Sequence, residues 1–150
     1  YTHKFKKIMK TIFTLLLLTI FTQTFGQNSI SYLYKGKIDG KMPITMYLKS
    51  EDNGCTNKLN YQGMYKYNNV SNWLQLDISQ NEKDQFIFTE YDFTGVLILQ
   101  KTKDGFNGIW ISPDTKKQLK VELKKEILTE KEKQIYEEKF EKVNYENYEC

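Results

Sequence analysis

From Ser31 to Lys124 apolar and polar residues alternate along the chain, with turn signals at short intervals. Tyr32, Tyr34, Gly36 and Ile38 share one parity, and Ser31, Leu33, Lys35 and Lys37 the other. Asp39-Gly40 then breaks the run, and because glycine takes positive φ at little cost the pair reads as a hairpin turn. Ile44, Met46 and Leu48 alternate with Thr45, Tyr47 and Lys49. Glu51-Asp-Asn-Gly54 opens what reads as the longest connection, running to about Asn60. Gly63, Tyr65 and Tyr67 define a third strand. Leu74, Leu76 and Ile78 define a fourth, set against Trp73, Gln75 and Asp77. Phe86-Ile-Phe88 leads the fifth, Val96–Leu99 the sixth and Phe106–Ile111 the seventh. In the last, Leu119, Val121 and Leu123 face away from Lys120, Glu122 and Lys124.

Short, evenly spaced strands with tight turns predict a mainly β, eight-stranded antiparallel meander over residues 27–125, closed as a barrel or packed as a sandwich. A parallel sheet needs crossover helices, and this stretch has no room for one, so Rossmann-like architectures are excluded. No glycine-rich phosphate loop follows any strand either.

The period changes after Lys125. Thr129-Glu-Lys-Glu132 is a capping box, in which the threonine and the glutamate satisfy each other's helix-start N–H groups. Leu128, Ile135, Tyr136, Phe140 and Val143 recur at helical spacing, so 126–150 reads as an amphipathic helix, with Glu138 placed four before Lys142 to pair with it. The segment has 8 acids against 4 Lys, whereas 27–125 has 14 Lys against 11 acids. The opposite signs suggest that the helix docks on the strands; the alternative is a solvated, frayed helix.

Composition alters the picture mainly through the N-terminus. Lys4, Lys6, Lys7 and Lys10 precede the apolar run Thr11–Phe21, and Thr24 and Gly26 are small residues before Gln27. This is the plan of a secretory signal peptide over 1–26, with 1–8 as upstream read-through if Met9 is the start. The run is shorter than the roughly 20 residues that span a bilayer; an uncleaved anchor is the alternative. Cleavage would change the net charge from +3 to −1, since it removes four of the 22 Lys and none of the 19 acids. It would also remove His3, the only histidine. Ser-His-Asp and Cys-His catalysis and His-ligated zinc are then excluded. The chain has no Arg, so the bidentate contact to phosphate or guanine is missing and nucleic acid is not an expected partner.

Candidate chemistry is sparse. Cys55 and Cys150 could form a disulfide in an exported chain, or stay unpaired or bridge molecules. A chain that begins at Tyr1 and ends on Cys150 also looks like a fragment. Glu90 shares the parity of Phe86 and Phe88 and would point into a barrel mouth if that face is inward. The reading preferred from the sequence turns Ile87, Thr89 and Tyr91 inward and leaves Glu90 in water, because buried glutamates are uncommon. Glu51-Asp-Asn-Gly54 lacks Ca²⁺-loop spacing and reads as turn chemistry. No metal site or cofactor is expected. Tyr65, Tyr67 and Trp110 join Glu90 as candidate ligand contacts. So does Trp73, which sits on the polar face of a clean strand and is either a contact residue or covered by the C-terminal helix. Asn69-Val-Ser71 fits a glycosylation sequon, which matters only in a eukaryotic secretory pathway.

Tyr34-x-Gly36-x-Ile38, Gly63-x-Tyr65-x-Tyr67 and Asp104-Gly-x-x-Gly108-x-Trp110 follow one another in an order that resembles small secreted bacterial β proteins of lipocalin- or avidin-like meander. The lipocalin Gly-x-Trp belongs in the first strand, whereas Gly108-x-Trp110 lies in the seventh. The resemblance implies a barrel and carries no site residues. The expectation is a secreted or periplasmic, non-enzymatic module that binds a small ligand, glycan or envelope component, with no membrane span once the leader is removed. The alternatives are a protein–protein or enzyme-inhibitor role in the cell envelope, and a glycosidase-like hydrolase using Glu90.

Overall fold

A computed structural model describes residues 29–56 and 58–148; the leader expected over 1–26 and Cys150 lie outside these. The strands are β1 (Ser29–Ile38), β2 (Met42–Asp52), β3 (Leu59–Tyr67), β4 (Leu74–Gln80), β5 (Gln85–Glu90), β6 (Val96–Lys101), β7 (Gly105–Ile111) and β8 (Gln118–Glu126). Each pairs antiparallel with the next, and β8 pairs back onto β1 from Ile38↔Val121 to Leu33↔Glu126, closing an eight-stranded barrel. A helix, α1 (Glu130–Tyr148), follows.

The period-two pattern determines which residues fill the interior. Tyr34 and Ile38 of β1, Ile44, Met46 and Leu48 of β2, and Tyr65 of β3 are buried there with their counterparts on the other strands. Eight strands enclose a space just wide enough for side chains to fill. Its middle is occupied by an aromatic cluster: Phe106 lies edge-on to Phe86 and Phe88, at centroid separations of 5.3 and 5.8 Å, and to Tyr34 at 5.0 Å. The seam between β1 and β8 depends on Gly36, where a Cβ would run into the Glu122 carbonyl oxygen.

Two expectations about boundaries and pairing are corrected. β2 runs on to Asp52 and β3 begins at Leu59, both inside the connection expected from Glu51 to about Asn60, because their ladder continues to Asp52↔Leu59. The expected long loop therefore shrinks to 53–58, no longer than the connections 68–73 and 112–117. On α1, Glu138 accepts from Gln134 at 3.0 Å, and Lys142 reaches Glu146 at 3.7 Å, one turn further on, rather than Glu138.

The capping box forms as expected: the Thr129 N–H donates to Glu132 at 2.9 Å, and the Glu132 N–H donates to the Thr129 hydroxyl at 3.3 Å. The helix then lies on the outside of the barrel. Phe140 and Val143 bury Leu33, Tyr47 and Met64, which point outward from β1, β2 and β3, and Tyr136 and Leu128 extend the contact. These outward apolar residues explain why the helix docks. On the uncovered side, the outward Ile87 and Ile98 remain exposed. One charged contact adds to the docking: Glu137 accepts from the Tyr47 hydroxyl and from Lys49, each at 2.5 Å. Burial opposes the Lys49 charge, but Glu137 and Glu51 outweigh it and hold its pKa above the ordinary value. Among the described residues no helix is long and apolar enough to cross a membrane.

Candidate functional site

Four of the five candidate ligand contacts meet at one end of the barrel, where β3, β5 and β7 finish. Glu90, the last residue of β5, is turned inward and only 4% exposed. The expectation that it faces water is therefore corrected. The registers Ile78↔Phe88 and Leu76↔Glu90 put it on the same side of the sheet as the apolar face of β4. The cost of burying a carboxylate is offset by donors. Tyr65 donates its hydroxyl proton to Oε1, the Trp110 indole N–H donates to the same oxygen at 2.7 Å, and Thr94 donates to Oε2 at 2.6 Å. The Tyr67 hydroxyl lies 3.5 Å from that of Tyr65. Burial, followed by the Glu90 charge, pushes the Tyr65 phenol far above its ordinary pKa and keeps it a donor.

The turn between β5 and β6 completes this arrangement. Residues Tyr91–Phe93 form a short 3-10 turn, with Asp92 and Phe93 at positive φ of 58° and 54°. The turn closes with the Glu90 N–H donating to the Gly95 carbonyl at 2.9 Å. Gly95 leaves room for the carboxylate and the indole: a Cβ there would lie 2.7 Å from Glu90 Oε1 and closer still to Trp110 Nε1. With both carboxylate oxygens engaged by the protein's own donors, Glu90 acts as an interior tie between β3, β5, β7 and the 91–95 turn.

Trp73 does not join this group. It is half-buried on the outer side, edge-on to Tyr136 of α1 at 6.0 Å, with Lys66 Nζ 5.5 Å from its ring centroid. Of the two readings held for Trp73, cover by the helix is the one observed. Cys55 is exposed in the β2–β3 connection, and its expected partner Cys150 lies outside the described residues. Among the described residues, no three carboxylate, Cys or His side chains converge as metal ligands.

An opening that was not anticipated lies at the opposite end. The β3–β4 ladder consists of Tyr65↔Leu74, Met64↔Gln75 and Gly63↔Leu76. Beyond it the two strands part, although each keeps its outer neighbour: Leu59–Gln62 stay paired to β2 and Asp77–Gln80 to β5. A cleft of about 720 Å³ results, lined by Tyr61, Ile78, Asn60, Gln80, Lys58 and Asp84 among others. A second hollow of about 380 Å³ on the outer side shares Tyr61, Gln62 and Ile78, and is bordered by Asn144 and Tyr148 of α1. The parting therefore runs through the barrel wall.

Tyr61 forms the cleft's aromatic wall, edge-on to Phe86 at 5.0 Å. Burial, then the Asp84 carboxylate and Tyr32, raise its pKa. The last turns of α1 hold β4 where it leaves β3. Gln75 donates to Asn144 at 2.7 Å and accepts from Asn147 at 3.0 Å, and the Tyr148 hydroxyl donates to Asp77 at 2.8 Å.

The alternation of Tyr61 with Tyr65 and Tyr67 carries a signal for an inward tyrosine. Residues 74–80 alternate cleanly throughout and give no sign that the ladder stops at Leu76. Compared with protein-family models, curated proteins and solved structures, the chain matches none. The likeness to small secreted bacterial barrels thus rests on strand motifs alone, and the eight-stranded antiparallel barrel is the part of it that the structure shows.

Proposed function

We propose that the protein is an exported binding module rather than an enzyme, and that its ligand occupies the cleft where β3 and β4 part. The observation that carries this reading is the three-residue ladder between two strands that each stay paired to an outer neighbour along the parting. A volume of about 720 Å³ falls within the roughly 300–1,000 Å³ of ligand pockets. The lining combines a ring and an aliphatic side chain with amides and charges of both signs, which suits a polar ligand with an apolar element. Phe86, Phe88 and Phe106 fill the middle of the barrel, so the ligand belongs at the cleft rather than on the axis. The sequence expectation of a small ligand, glycan or envelope component is kept, with the leader as the basis for export.

Glu90 supports the non-enzymatic reading, since its oxygens already serve Tyr65, Trp110 and Thr94. The test is a thermal-shift screen of glycans and small polar molecules on the native chain and on Tyr61→Ala. A true ligand at a hundredfold excess over its Kd stabilises the native fold by about 2.7 kcal/mol, and the shift should disappear in Tyr61→Ala. A ligand that shifts both proteins equally would place the site elsewhere. Hydrolysis of a glycoside or ester panel, lost in Glu90→Gln, would overturn the non-enzymatic reading.

A further inference from the structure

We propose that the occupant of the cleft is an extended polypeptide segment of a partner, which adds a strand to the edges that β3 and β4 leave unpaired. The inference rests on the reading of the cleft as the binding site and names its ligand class. Among the described residues, Leu59–Gln62 have ladder partners only on the β2 side and Asp77–Gln80 only on the β5 side. In an antiparallel sheet, alternate residues direct their N–H and C=O toward a given neighbour. Each of these four-residue edges therefore presents backbone donors and acceptors to the cleft. An extended chain is the ligand whose repeat matches such an edge: main-chain hydrogen bonds give affinity, and alternate side chains give specificity.

The two sides of the opening set the pattern of those side chains. Continued past Gly63↔Leu76, the observed register would set Tyr61 opposite Ile78, and both share the parity of the inward residues Tyr65 and Leu76. Inward positions of the guest strand meet the Tyr61 ring, Ile78 and, behind Tyr61, Phe86. Outward positions meet Gln62, Asp77, Asn144 and Tyr148. The structure therefore calls for a segment that alternates apolar and polar residues. Backbone edges distinguish this occupant from a glycan, which has no ladder to match them.

The test selects phage-displayed random octapeptides on the full chain, then scans synthetic versions of the winners with backbone N-methyl groups. Enriched peptides should alternate apolar and polar residues. A strand seated between the two edges donates alternate N–H groups to β3 and to β4. Methylation at either parity within the ladder should therefore weaken binding about tenfold, the loss of a backbone hydrogen bond, while methylation of residues that overhang it should leave binding unchanged. Amide exchange in 59–62 and 77–80 should slow about tenfold or more in the complex. Absence of enriched peptides, or binding indifferent to backbone methylation, would overturn strand addition. If glycans or small molecules protect the cleft amides and peptides do not, strand addition falls and the cleft reading stands. If no probe in either panel protects them, both fall.

Discussion

Removing the Glu90 carboxylate leaves the Tyr65 hydroxyl and the Trp110 indole N–H pointing at an empty acceptor position. Buried donors left without partners cost about 1–3 kcal/mol each. Glu90→Ala should therefore lower unfolding free energy by roughly 2–4 kcal/mol, read from urea titration. Glu90→Gln, which keeps the shape and one acceptor oxygen, should cost less. Equal stability of all three proteins would show that the tie contributes nothing. Tyr34 gives the pH prediction: burial, followed by Tyr32 and Tyr61, raises its pKa from 10.0 to about 12. A pKa raised on folding means that stability is fully present below pH 10 and is lost as pH climbs toward 12, by roughly 3 kcal/mol in all for this group. Tyr34→Phe should flatten that decline between pH 10 and 12 in thermal melts; parallel curves for the two proteins would refute the assignment.

At the scale of elements, α1 covers an apolar patch that the barrel carries on its outside. Phe140 is 4% exposed against Leu33, Tyr47 and Met64. Phe140→Ala should cost roughly 3–5 kcal/mol if the contact behaves as core. Thr129→Ala, which removes only the cap, should cost about 1 kcal/mol. Ordering the two variants by urea midpoint separates packing from capping as the source of helix docking. The helix itself was legible in the sequence, because its capping box and 3.6-residue spacing are local signals. Most strand faces were legible too, because period two fixes them once one face is known to be inward; β5 was read with the wrong face inward, since Phe86, Ile87 and Phe88 are apolar at both parities. The end of the β3–β4 ladder was not, because both strands keep full alternation while they separate.

For the whole molecule, barrel closure joins the two ends of the strand region: β1 meets β8 across about ninety residues of chain, as in Gly36↔Leu123. Contacts of such separation must overcome loop-closure entropy before they stabilise the fold, so folding should fall in the millisecond-to-second range. Stopped-flow tryptophan fluorescence would check this, with Trp110 inside the barrel and Trp73 beneath the helix as reporters. Microsecond folding would contradict a closure-limited mechanism. Gly36→Ala, placed at the seam where a Cβ meets the Glu122 carbonyl, should hinder closure itself.

By itself the sequence determined the strand order, the antiparallel connections, the inward parity of most strands and the helix start. These follow from nearest-neighbour chemistry: turn residues, two-residue alternation and a cap. It also narrowed the available chemistry, since the only histidine is His3, within the expected leader. Only the tertiary structure decided between barrel and sandwich, turned Glu90 inward, placed Trp73 under α1 and opened the cleft. Each of these depends on where a distant strand or helix comes to lie. Glu90 shows the reason most directly: its burial is made tolerable by Tyr65, Trp110 and Thr94, of which only Thr94 is near it in the chain. Residue spacing records the preferences of one segment at a time, and hydrogen bonds between distant strands decide what those preferences can afford.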